Sequence, residues 1–388
     1  MEWKEVRLGD VCTKITDGSH FSPKAQTEGY PMLSVKDMRE YDFDFSNCKK
    51  ISYEDYLKME RDGCVPQIGD VLVAKDGSYL KEIFRCKEQR EIALLSSIAI
   101  FRPNSQLIDS RFLCYCLKSP RVYNYISLNC VSGSALPRII LKDFKGVNIR
   151  VPSLDDQRRI ASILSSLDRK IELNNKIYAD LEEMAQAIFM NWFVDFEPFK
   201  DGKFVDSELG MIPEGWKVGT LGELCNFKRG KNLLTKNAID EGVPVVAGGL
   251  EPSCYHNVAN TGAPVITVSG SGANAGFMRM YHVPVWASDC SFIDISCENF
   301  YFVYCFLKVN SKLLKHAQTG AVQPHVKPSD IHDFELAIPD KESIYDFQDK
   351  VKPFFDKIAS IQKENSRLSL LRDTLLPRLM SGELEVPE

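Results

Sequence analysis

The sequence WKEVRLGDVC at Trp3–Cys12 recurs as WKVGTLGELC at Trp216–Cys225, 213 positions further along the chain. A second pair of segments follows in the same order, because FLCYCLK at Phe112–Lys118 corresponds to FVYCFLK at Phe302–Lys308. Ordered self-similarity of this kind indicates an internal duplication. The chain is therefore predicted to contain two copies of one structural plan.

A third match lies towards the end of each copy. Gly, Pro, Asp and apolar residues between 133 and 152 recur between 320 and 339, at an offset of 187 positions. The offset falls from 213 to 187, so the second copy is expected to be about 26 residues shorter than the first. Chance similarity explains a single match, but not three matches in the same order.

Each copy ends in a pattern that is typical of a long helix. From Ile160 to Ile188, apolar residues recur at alternating spacings of four and three, and the same spacing runs from Val351 to Leu379. Such a seam predicts a coiled coil, and residues 154–190 would span roughly 55 Å as a helix. Two repeated helices in one chain are predicted to pack against each other in antiparallel orientation.

An asparagine interrupts each apolar seam near its middle, at Asn174 and Asn365. A buried Asn costs stability but fixes the register of two helices, because its amide needs a polar partner. Pairing of the two amides and solvation of each at a frayed edge are both compatible with the sequence. Arg372 falls on the second seam and weakens its apolar pattern.

The predicted fold class is α+β, with two globular mixed domains separated by the two long helices in a pseudo-two-fold repeat. Short apolar runs bounded by Gly or Pro predict strands in both domains. These are Pro31–Val35, Asp70–Ala74, Ser97–Phe101, Pro244–Ala247, Pro264–Val268 and Cys290–Ile295. The predicted division is a first domain at 1–152, a helix at 153–192, a linker at 193–215, a second domain at 216–340, and a helix with its tail at 341–388.

The composition of this chain of 388 residues, 44% hydrophobic and 26% charged, is that of a folded protein with two or three domains. A transmembrane run and a signal peptide are both absent, so a cytoplasmic location with reduced thiols is expected. The twelve Cys contain no C-x-x-C pair, which argues against structural zinc. The net charge is −5, yet residues 1–152 carry 23 basic and 20 acidic side chains, so any DNA contact must come from local basic patches or be shared with a partner.

In both copies an apolar strand leads into a polar glycine loop. VITVSGSGANAGF at Val265–Phe277 is the clearer case, and DVLVAKDGSY at Asp70–Tyr79 is its analogue. The glycine spacing resembles a dinucleotide-binding loop, but the residues that follow predict a strand where such a site requires a helix. A hairpin loop that allows close approach of a ligand is favoured, with a simple surface turn as the alternative.

Basic and polar residues in these loops and in three neighbouring stretches are candidates for contacts with DNA. Arg and Lys suit phosphates and guanine edges, whereas Asn suits adenine, although a solvated side chain is the alternative at each single position. The predicted DNA-binding residues are His20, Lys24, Lys75, Ser78, Tyr79, Arg138, Lys228, Arg229, Lys231, Asn232, Ser271, Asn274, Arg279 and His325. P-loop, G-x-S-x-G and amino-methyltransferase motifs are absent, so no catalytic residue and no metal ligand is predicted.

Four further segments carry the most specific signal in the chain. They are VPSLDDQRRI at Val151–Ile160, WFVDFEP at Trp192–Pro198, ELGMIPEGW at Glu208–Trp216 and RDTLLPRLMSGEL at Arg372–Leu384. In these segments the chain resembles the specificity subunits of type I restriction–modification enzymes over essentially its whole length. One departure is that Trp3 lacks the IPEGW-type lead that precedes the second copy.

The resemblance implies that each globular domain is a target recognition domain for one half of a split, asymmetric DNA sequence. It also implies that the helices set the spacer and dock two modification subunits, which hold S-adenosylmethionine and methylate adenine, and that a restriction subunit uses ATP and Mg. This chain itself would be a non-catalytic subunit without a cofactor. The alternatives are a methylation-only or type II-like assembly, a DNA-independent coiled-coil adaptor, and a nucleotide-dependent enzyme that uses the 270–276 loop.

Overall fold

The computed structural model describes residues 2–77, 80–133, 137–318 and 324–386. The chain divides into two compact units: unit 1 comprises Met1–Asn174 and Glu364–Glu388, and unit 2 comprises Asn175–Lys363. Both units combine helices with mainly antiparallel sheets, which confirms the predicted α+β class. The unit boundaries fall inside two long helices, so each unit contains part of both helices.

The strands of unit 1 form two small sheets and two separate pairs. They are β1 (Lys4–Arg7), β2 (Cys12–Asp17), β3 (Tyr30–Leu33), β4 (Lys49–Ile51), β5 (Val71–Ala74), β6 (Ile83–Arg85), β7 (Ala93–Leu94), β8 (Ile98–Pro103), β9 (Val131–Ser132), β10 (Arg138–Ile139) and β11 (Asn148–Val151). The larger sheet has the order β2-β8-β5-β6, with every neighbouring pair antiparallel. The smaller sheet has the order β4-β3-β7, in which β3 and β7 run parallel.

The helices of unit 1 pack on both of its sheets. They are α1 (Leu8–Val11), α2 (Tyr53–Arg61), α3 (Ser110–Lys118), α4 (Pro120–Asn129), α5 (Leu141–Gly146) and the first part of α6 (Leu154–Phe193). Helix α2 packs against the smaller sheet and the others against the larger one. Helix α3 begins after Asp109, whose carboxylate accepts hydrogen bonds from the N–H groups of Arg111 and Phe112 at 2.9 and 3.1 Å. Six consecutive residues of α3, 112–117, are buried, so this helix is a central element of the core.

The strands of unit 2 repeat the same connectivity. They are β12 (Phe204–Ser207), β13 (Gly210–Pro213), β14 (Lys217–Thr220), β15 (Lys228–Arg229), β16 (Val243–Val246), β17 (Cys254–His256), β18 (Val265–Ser269), β19 (Met278–Tyr281), β20 (Trp286–Ala287), β21 (Cys290–Asp294) and β22 (Glu335–Ile338). The order β15-β21-β18-β19 corresponds strand by strand to β2-β8-β5-β6 of unit 1, and β17-β16-β20 corresponds to β4-β3-β7. The pair β14 and β22 likewise corresponds to β1 and β11.

The helices of unit 2 enclose an aromatic core. They are α7 (Phe300–Val309), α8 (Ser311–His316), α9 (Pro328–His332) and the parts of α6 and α10 (Lys341–Ser381) that belong to this unit. The ring of Phe193 on α6 lies 5.0 Å from that of Phe302 on α7 and 5.2 Å from that of Phe347 on α10. Phe189 contacts the same two rings, so the three helices share one cluster of aromatic side chains.

The six strands predicted from the sequence are all confirmed within two residues of the expected bounds. The predicted linker at 193–215 contains the hairpin of β12 and β13. Strands β18 and β19 are antiparallel neighbours, so the glycine loop connects the two strands of a hairpin, as expected. The helix that a dinucleotide site would require after Gly276 is therefore replaced by a strand.

Each of the two long helices begins at a capping side chain. Ser153 Oγ accepts a hydrogen bond from the Asp156 N–H at 3.2 Å before α6, and Asp340 Oδ1 accepts from the Ser343 N–H at 2.8 Å before α10. These caps satisfy N–H groups that have no partner within the helix.

Within unit 1 the parts of α6 and α10 run antiparallel. Asn174 on α6 hydrogen-bonds to Asn365 on α10. Asp168, earlier on α6, pairs with Arg372, which is later on α10. Leu164, earlier still on α6, shares a buried cluster with Leu379.

In the described ranges, no helix is long and apolar enough to cross a membrane, and no group of three or more His, Cys, Asp or Glu side chains is placed to hold a metal ion. All twelve cysteines are free thiols. Burial raises the pKa of Cys116 and of Cys290 to about 12, so both thiols stay protonated near neutral pH.

Candidate nucleic-acid interface

Three loops of unit 1 are held together by backbone hydrogen bonds. The Gly77 N–H donates to the Pro137 carbonyl at 2.8 Å, and the Ile139 N–H donates to the Lys75 carbonyl at 3.0 Å. Asp76 and Arg138 form an isolated antiparallel bridge between these two segments. The loop after β5 is thus fixed to the segment that enters β10, and the side chain of Arg138 is left exposed.

The third loop of this group follows β2, and it depends on a close approach of two backbones. A Cβ atom at Gly18 would overlap the backbone carbonyl of Leu94, so only glycine fits there without displacement. The next residue, Ser19, donates its N–H to the same carbonyl at 2.7 Å. The chain then turns outward, and the side chain of His20 is 77% exposed.

Lys75 lies inside this group of loops instead of on its surface. The residue is only 6% exposed, and its Nζ lies 3.4 Å from the Asp17 carboxylate and 3.3 Å from that of Asp76. His20 Nε2 lies 3.3 Å from the same Asp17. The structure therefore brings together His20, Lys75 and Arg138, but with the Lys75 ammonium paired to two acids that sequence reasoning did not single out.

Of the remaining candidates in unit 1, Lys24 is among the described residues, but Ser78 and Tyr79 are not. Lys24 is exposed in the segment after His20, where Lys49 Nζ donates to Ser22 Oγ at 2.7 Å. Ser78 and Tyr79 lie outside the described residues, and their predicted contacts with DNA stay predictions. Lys24 and Arg138 are both exposed, and neither forms an ion pair within the described parts of the chain.

Unit 2 has the same backbone contacts at the corresponding places. The Gly272 N–H donates to the Pro324 carbonyl and the Val326 N–H donates to the Gly270 carbonyl, both at 3.1 Å. Ser271 and His325 form the isolated bridge that corresponds to the one in unit 1. The loop after β18 is therefore joined to the segment before α9 as the loop after β5 is joined to β10.

A glycine again allows the chain after the first strand to leave the sheet. A Cβ atom at Gly230 would overlap the carbonyl of Ser288, and the Lys231 N–H donates to the Ala287 carbonyl at 2.9 Å. Both Lys231 and Asn232 are exposed beyond this point. The indole Nε1 of Trp286 donates to the Lys231 carbonyl at 2.8 Å. This hydrogen bond fixes the backbone of Lys231, whereas the Lys231 side chain is exposed.

The charges beneath the loops of unit 2 are arranged differently from those of unit 1. The Arg229 guanidinium lies over Gly270 and pairs with Asp289, which also accepts a hydrogen bond from the Ser271 hydroxyl. The cation of unit 2 is thus Arg229 on β15, and Gly270 occupies the position that Lys75 has in unit 1. Lys228 is exposed on β15, where its backbone is opposite Phe292.

Two other candidates in unit 2 bind the loop that follows β16. Asn274 Nδ2 donates to the Gly248 carbonyl at 3.3 Å. Arg279 donates to the Leu250 carbonyl at 3.0 Å, pairs with Glu251 at 2.9 Å and lies 5.1 Å from the Tyr281 ring. The structure thus groups Arg229, Ser271 and His325, whereas Arg279 belongs to the neighbouring β19 edge.

The asparagines predicted to set helix register are brought together in unit 1. Asn174 is 1% exposed, and its Nδ2 donates to Asn365 Oδ1 at 2.7 Å and to the Glu364 carboxylate at 2.9 Å. The side-chain amide of Asn174 is therefore satisfied inside the helix pair, as a buried amide requires. Their role in setting register is a prediction that these contacts support.

Arg372, which interrupts the apolar seam, has a partner that sequence reasoning missed. Its guanidinium donates to the Asp168 carboxylate at 3.0 Å, to the Tyr41 hydroxyl at 2.8 Å and to Glu40 at 2.7 Å. Tyr115 donates to the same Asp168 at 2.5 Å. The sequence shows Arg372 on the second apolar seam and Asp168 beside the first, but their pairing requires the register of the two helices.

Each unit thus contains one sheet order and one loop framework, together with part of the two long helices. The family model described as the type I restriction modification DNA specificity domain matches residues 1–183 and 213–369. The chain therefore belongs to the type I restriction–modification specificity family, and the resemblance found in the sequence is confirmed.

Individual relatives agree with this assignment. The chain is 32% identical to the type I restriction enzyme MjaIX specificity subunit of Methanocaldococcus jannaschii, over 72% of this chain and 70% of that protein. It is 25% identical to the HindI specificity subunit of Haemophilus influenzae, over 99% and 100% of the two chains. A crystal structure of a type I restriction–modification S subunit from M. genitalium is similar in fold, with a TM-score of 0.58 and 19% identity, and covers 98% of this chain and 96% of that chain.

Proposed function

We propose that this chain gives a type I restriction–modification enzyme its DNA specificity by reading a bipartite, asymmetric target, with one half read by each unit. The observation that supports this most strongly is the recurrence of one loop framework with different side chains on it. His20 and Asn232 each lie two residues after the glycine that approaches a neighbouring backbone. Arg138 and His325 occupy equivalent bridges.

Different side chains at equivalent positions favour different half-site sequences. An asparagine suits the paired acceptor and donor of adenine, whereas arginine suits the two acceptors of guanine. Exposed Lys24, Lys228 and Lys231 supply positive charge near these positions, as contact with DNA phosphates requires. Lys75 and Arg229 are paired with acids, so we assign them to holding the loops in place.

The two units are, in this proposal, duplicate recognition domains, and α6 with α10 forms a coiled-coil spacer between them. Three features support it: the matching sheet orders, the antiparallel contacts of the helices within unit 1, and the hydrogen bond from buried Asn174 to Asn365. A polar pair in an apolar seam selects one register. A single register would set a single spacer length in the DNA target.

We further propose that the chain is non-catalytic and acts in the cytoplasm with two methyltransferase subunits, which hold S-adenosylmethionine, and with a restriction subunit that uses ATP and Mg. Exposed apolar side chains on the helices support a docking role. In unit 1, Leu173 on α6 and both Leu370 and Leu371 on α10 are exposed, with Leu370 the most exposed at 70%. Adjacent exposed apolar side chains, as at Leu370 and Leu371, favour a protein interface.

Single-molecule methylome sequencing of cells that express this chain with its methyltransferase partner tests the proposal. We expect a bipartite methylated motif with a non-specific gap. Replacing residues 216–340 with those of another family member should change one half of the motif, and replacing residues 1–152 should change the other half. An ungapped motif, or a change of both halves by one replacement, would show that the assignment of one half-site per unit is wrong.

Two further measurements separate this function from the alternatives. Binding of the complex to duplex DNA should weaken steeply as salt rises, because phosphate contacts release counterions. A DNA-independent adaptor would show no such binding. Restriction of incoming phage DNA by the full complex distinguishes an enzyme with a restriction subunit from a methylation-only assembly.

A further inference from the structure

A cavity in unit 1, lined by none of the predicted DNA-binding residues, has an excess of positive charge in its wall. Its volume is about 230 Å³, and its walls come from β6, α3, α6 and the segment at residues 40–41. Phe84, Cys114 and Tyr115 contribute buried surface. The cations that line it are Arg85, Lys87, Arg111, Lys118 and Arg169.

The three acids in the wall of this cavity are already engaged. Glu40 and Asp168 are both bound by Arg372, at 2.7 and 3.0 Å, and Arg372 does not line the cavity itself. Glu172 pairs with Lys87. Glu172 neutralises Lys87, and Glu40 with Asp168 more than neutralises Arg372, so the five cations of the wall and Arg372 exceed the three acids by three positive charges.

The four cations other than Lys87 have few partners among the described residues. Arg85 and Arg169 form no ion pair with a carboxylate in this part of the chain, and Lys118 lies 6.0 Å from the Tyr41 ring. Arg111 lies 3.5 Å from Asp109, whose carboxylate also caps α3. Like charges in a partly enclosed space repel one another, and a bound anion would relieve that repulsion.

Three of the cations act electrostatically on the buried Cys114 thiol, which lines the cavity. Burial raises the pKa of the Cys114 thiol, and Lys118, Arg85 and Lys87 all act against that rise, whereas Asp168 adds to it. Cys114 lies in the wall of the cavity, so the positive potential is directed into the space. Arginine forms paired hydrogen bonds with phosphate oxygens and holds a full charge at all physiological pH values.

We propose that this cavity binds a phosphate group, with Arg85, Arg169 and Lys118 as its main ligands and Arg111 as a further cation. The phosphate belongs either to a free phosphate compound or to the backbone of a nucleic acid, since both present the same oxygens. The site does not depend on the reading loops, so it goes beyond the proposed function and stands apart from it.

Titration of the full-length chain with inorganic phosphate and with pyrophosphate, followed by calorimetry, tests the site. We expect saturable binding that weakens with salt. Arg85→Gln combined with Arg169→Gln should weaken it by roughly tenfold or more, because hydrogen bonds to charged groups are the strong ones. Lys118→Gln, on the exposed side of α3, provides a second, independent variant, and circular dichroism shows whether each variant is folded.

A second substitution should act in the opposite direction. Glu172→Gln releases Lys87 towards the cavity, so phosphate binding should strengthen by about two- to fivefold. The matched control is Arg61→Gln on α2, an exposed arginine that donates to the Leu57 carbonyl and does not line the cavity. The control should leave phosphate binding unchanged.

Absence of saturable binding by the unmodified chain would overturn the inference, as would equal binding by the folded double variant. Duplex DNA then identifies the source of the phosphate. A salt dependence of DNA binding that falls by about two phosphate contacts in the double variant indicates backbone phosphate, and an unchanged salt dependence indicates a free phosphate compound. Failure of phosphate to bind would leave the methylated motif unaffected, so it is separable from failure of the proposed function.

Discussion

The two units hold their globular parts to the long helices in different ways. In unit 1 the buried carboxylate of Asp168 on α6 accepts hydrogen bonds from Tyr115 and Tyr41 and from Arg372 on α10. In unit 2 another acid of α6, Glu182, accepts hydrogen bonds from Tyr178 on α6 and from Tyr304 on α7, and it pairs with Lys308 on α7. Helix α10 thus contributes a charge to the network of unit 1 but none to that of unit 2.

In unit 2, α10 contributes aromatic rings instead. Phe355 stacks 5.0 Å from Tyr301 and lies 5.3 Å from Tyr304, and Phe347 joins the cluster of Phe189 and Phe193. Directional hydrogen bonds concentrate the attachment of unit 1 in a few atoms, whereas apolar burial distributes it over many contacts. The loss of one group should therefore harm unit 1 more than unit 2.

The tyrosines of the two networks act as fixed donors. Burial and the charge of Asp168 raise the pKa of Tyr115, and burial and Glu182 raise the pKa of Tyr304 well above its usual value. Both hydroxyls therefore stay protonated wherever the protein is folded. The difference between the units lies in the cation, since Lys308 is more exposed than Arg372.

The largest expected effect is from Asp168→Ala. This change removes the buried acceptor that two tyrosine hydroxyls share with Arg372, and leaves Arg372 only the more exposed Glu40 and Asp373, so the free energy of unfolding should fall by about 3–5 kcal/mol. Glu182→Ala should cost less, about 1–3 kcal/mol, because Lys308 can reach water. Urea unfolding measures both. Equal losses would contradict the contrast drawn between the two attachments.

The matched control for this pair is Asp373→Ala, because Asp373 also contacts Arg372 but is largely exposed. An exposed ion pair contributes little, so this control should change the free energy of unfolding by less than about 1 kcal/mol.

The next effect concerns the glycines beneath the loops. Gly18→Ala and Gly230→Ala each place a methyl group against a backbone carbonyl, and overpacking of this kind costs about 1–3 kcal/mol. Gly18→Ala should degrade recognition of one half-site and Gly230→Ala that of the other, as read by methylome sequencing. Gly146→Ala is the control, since no atom lies within 4 Å of its added Cβ.

Side chains on the loops should affect DNA binding without affecting folding. Arg138→Ala in unit 1 and Lys231→Ala in unit 2 should each weaken binding by about 1–3 kcal/mol if the side chain reads a base. Competition with duplexes altered in one half-site should show which half each residue contacts. If both variants lost their sequence preference in the same DNA half-site, the assignment of one half-site to each unit would be wrong.

The smallest effect is at the helix caps, and it depends on pH in unit 2 alone. Ser153→Ala and Asp340→Ala should each cost about 1 kcal/mol at neutral pH. Burial raises the pKa of Asp340, but hydrogen bonds from Ser343 and Trp216 lower it more, so the net shift is downward. A lowered pKa means that this stability is present at neutral pH and is lost as acid protonates the carboxyl group in the folded state.

Thermal unfolding across a pH series checks this difference. The cost of Asp340→Ala should shrink as the pH falls towards and below the usual aspartate range, whereas the cost of Ser153→Ala should stay constant because a hydroxyl does not titrate there. A constant cost at both caps would contradict the charge-dependent role of Asp340.

Regular elements could be predicted from the sequence, because local patterns determine them. The strand at Val71–Ala74 is a short apolar run before a glycine loop, and all four residues are buried. Helix α6 begins next to Ser153, as the capping pattern indicates. These features depend on residues that are close together in the chain, so periodicity and capping are sufficient.

The environment of the charged residues could not be predicted in the same way. The sequence predicts that Lys75 is an exposed loop cation. In the structure it is buried, and it pairs with Asp17, which is far away in sequence. Arg372 reads as a defect in the seam, yet it is the counter-ion of Asp168. Both pairings depend on the tertiary arrangement, which a single sequence without the register of its elements does not specify.

The division of the chain into its units has a consequence for synthesis. Unit 2 is one continuous stretch, Asn175–Lys363, whereas unit 1 needs both Met1–Asn174 and Glu364–Glu388. A ribosome releases the chain from its N-terminus, and domains generally fold as units when their residues have emerged. The N-terminal part of unit 1 must therefore wait, with Asp168 lacking its guanidinium partner, until unit 2 has been translated and Arg372 has left the ribosome.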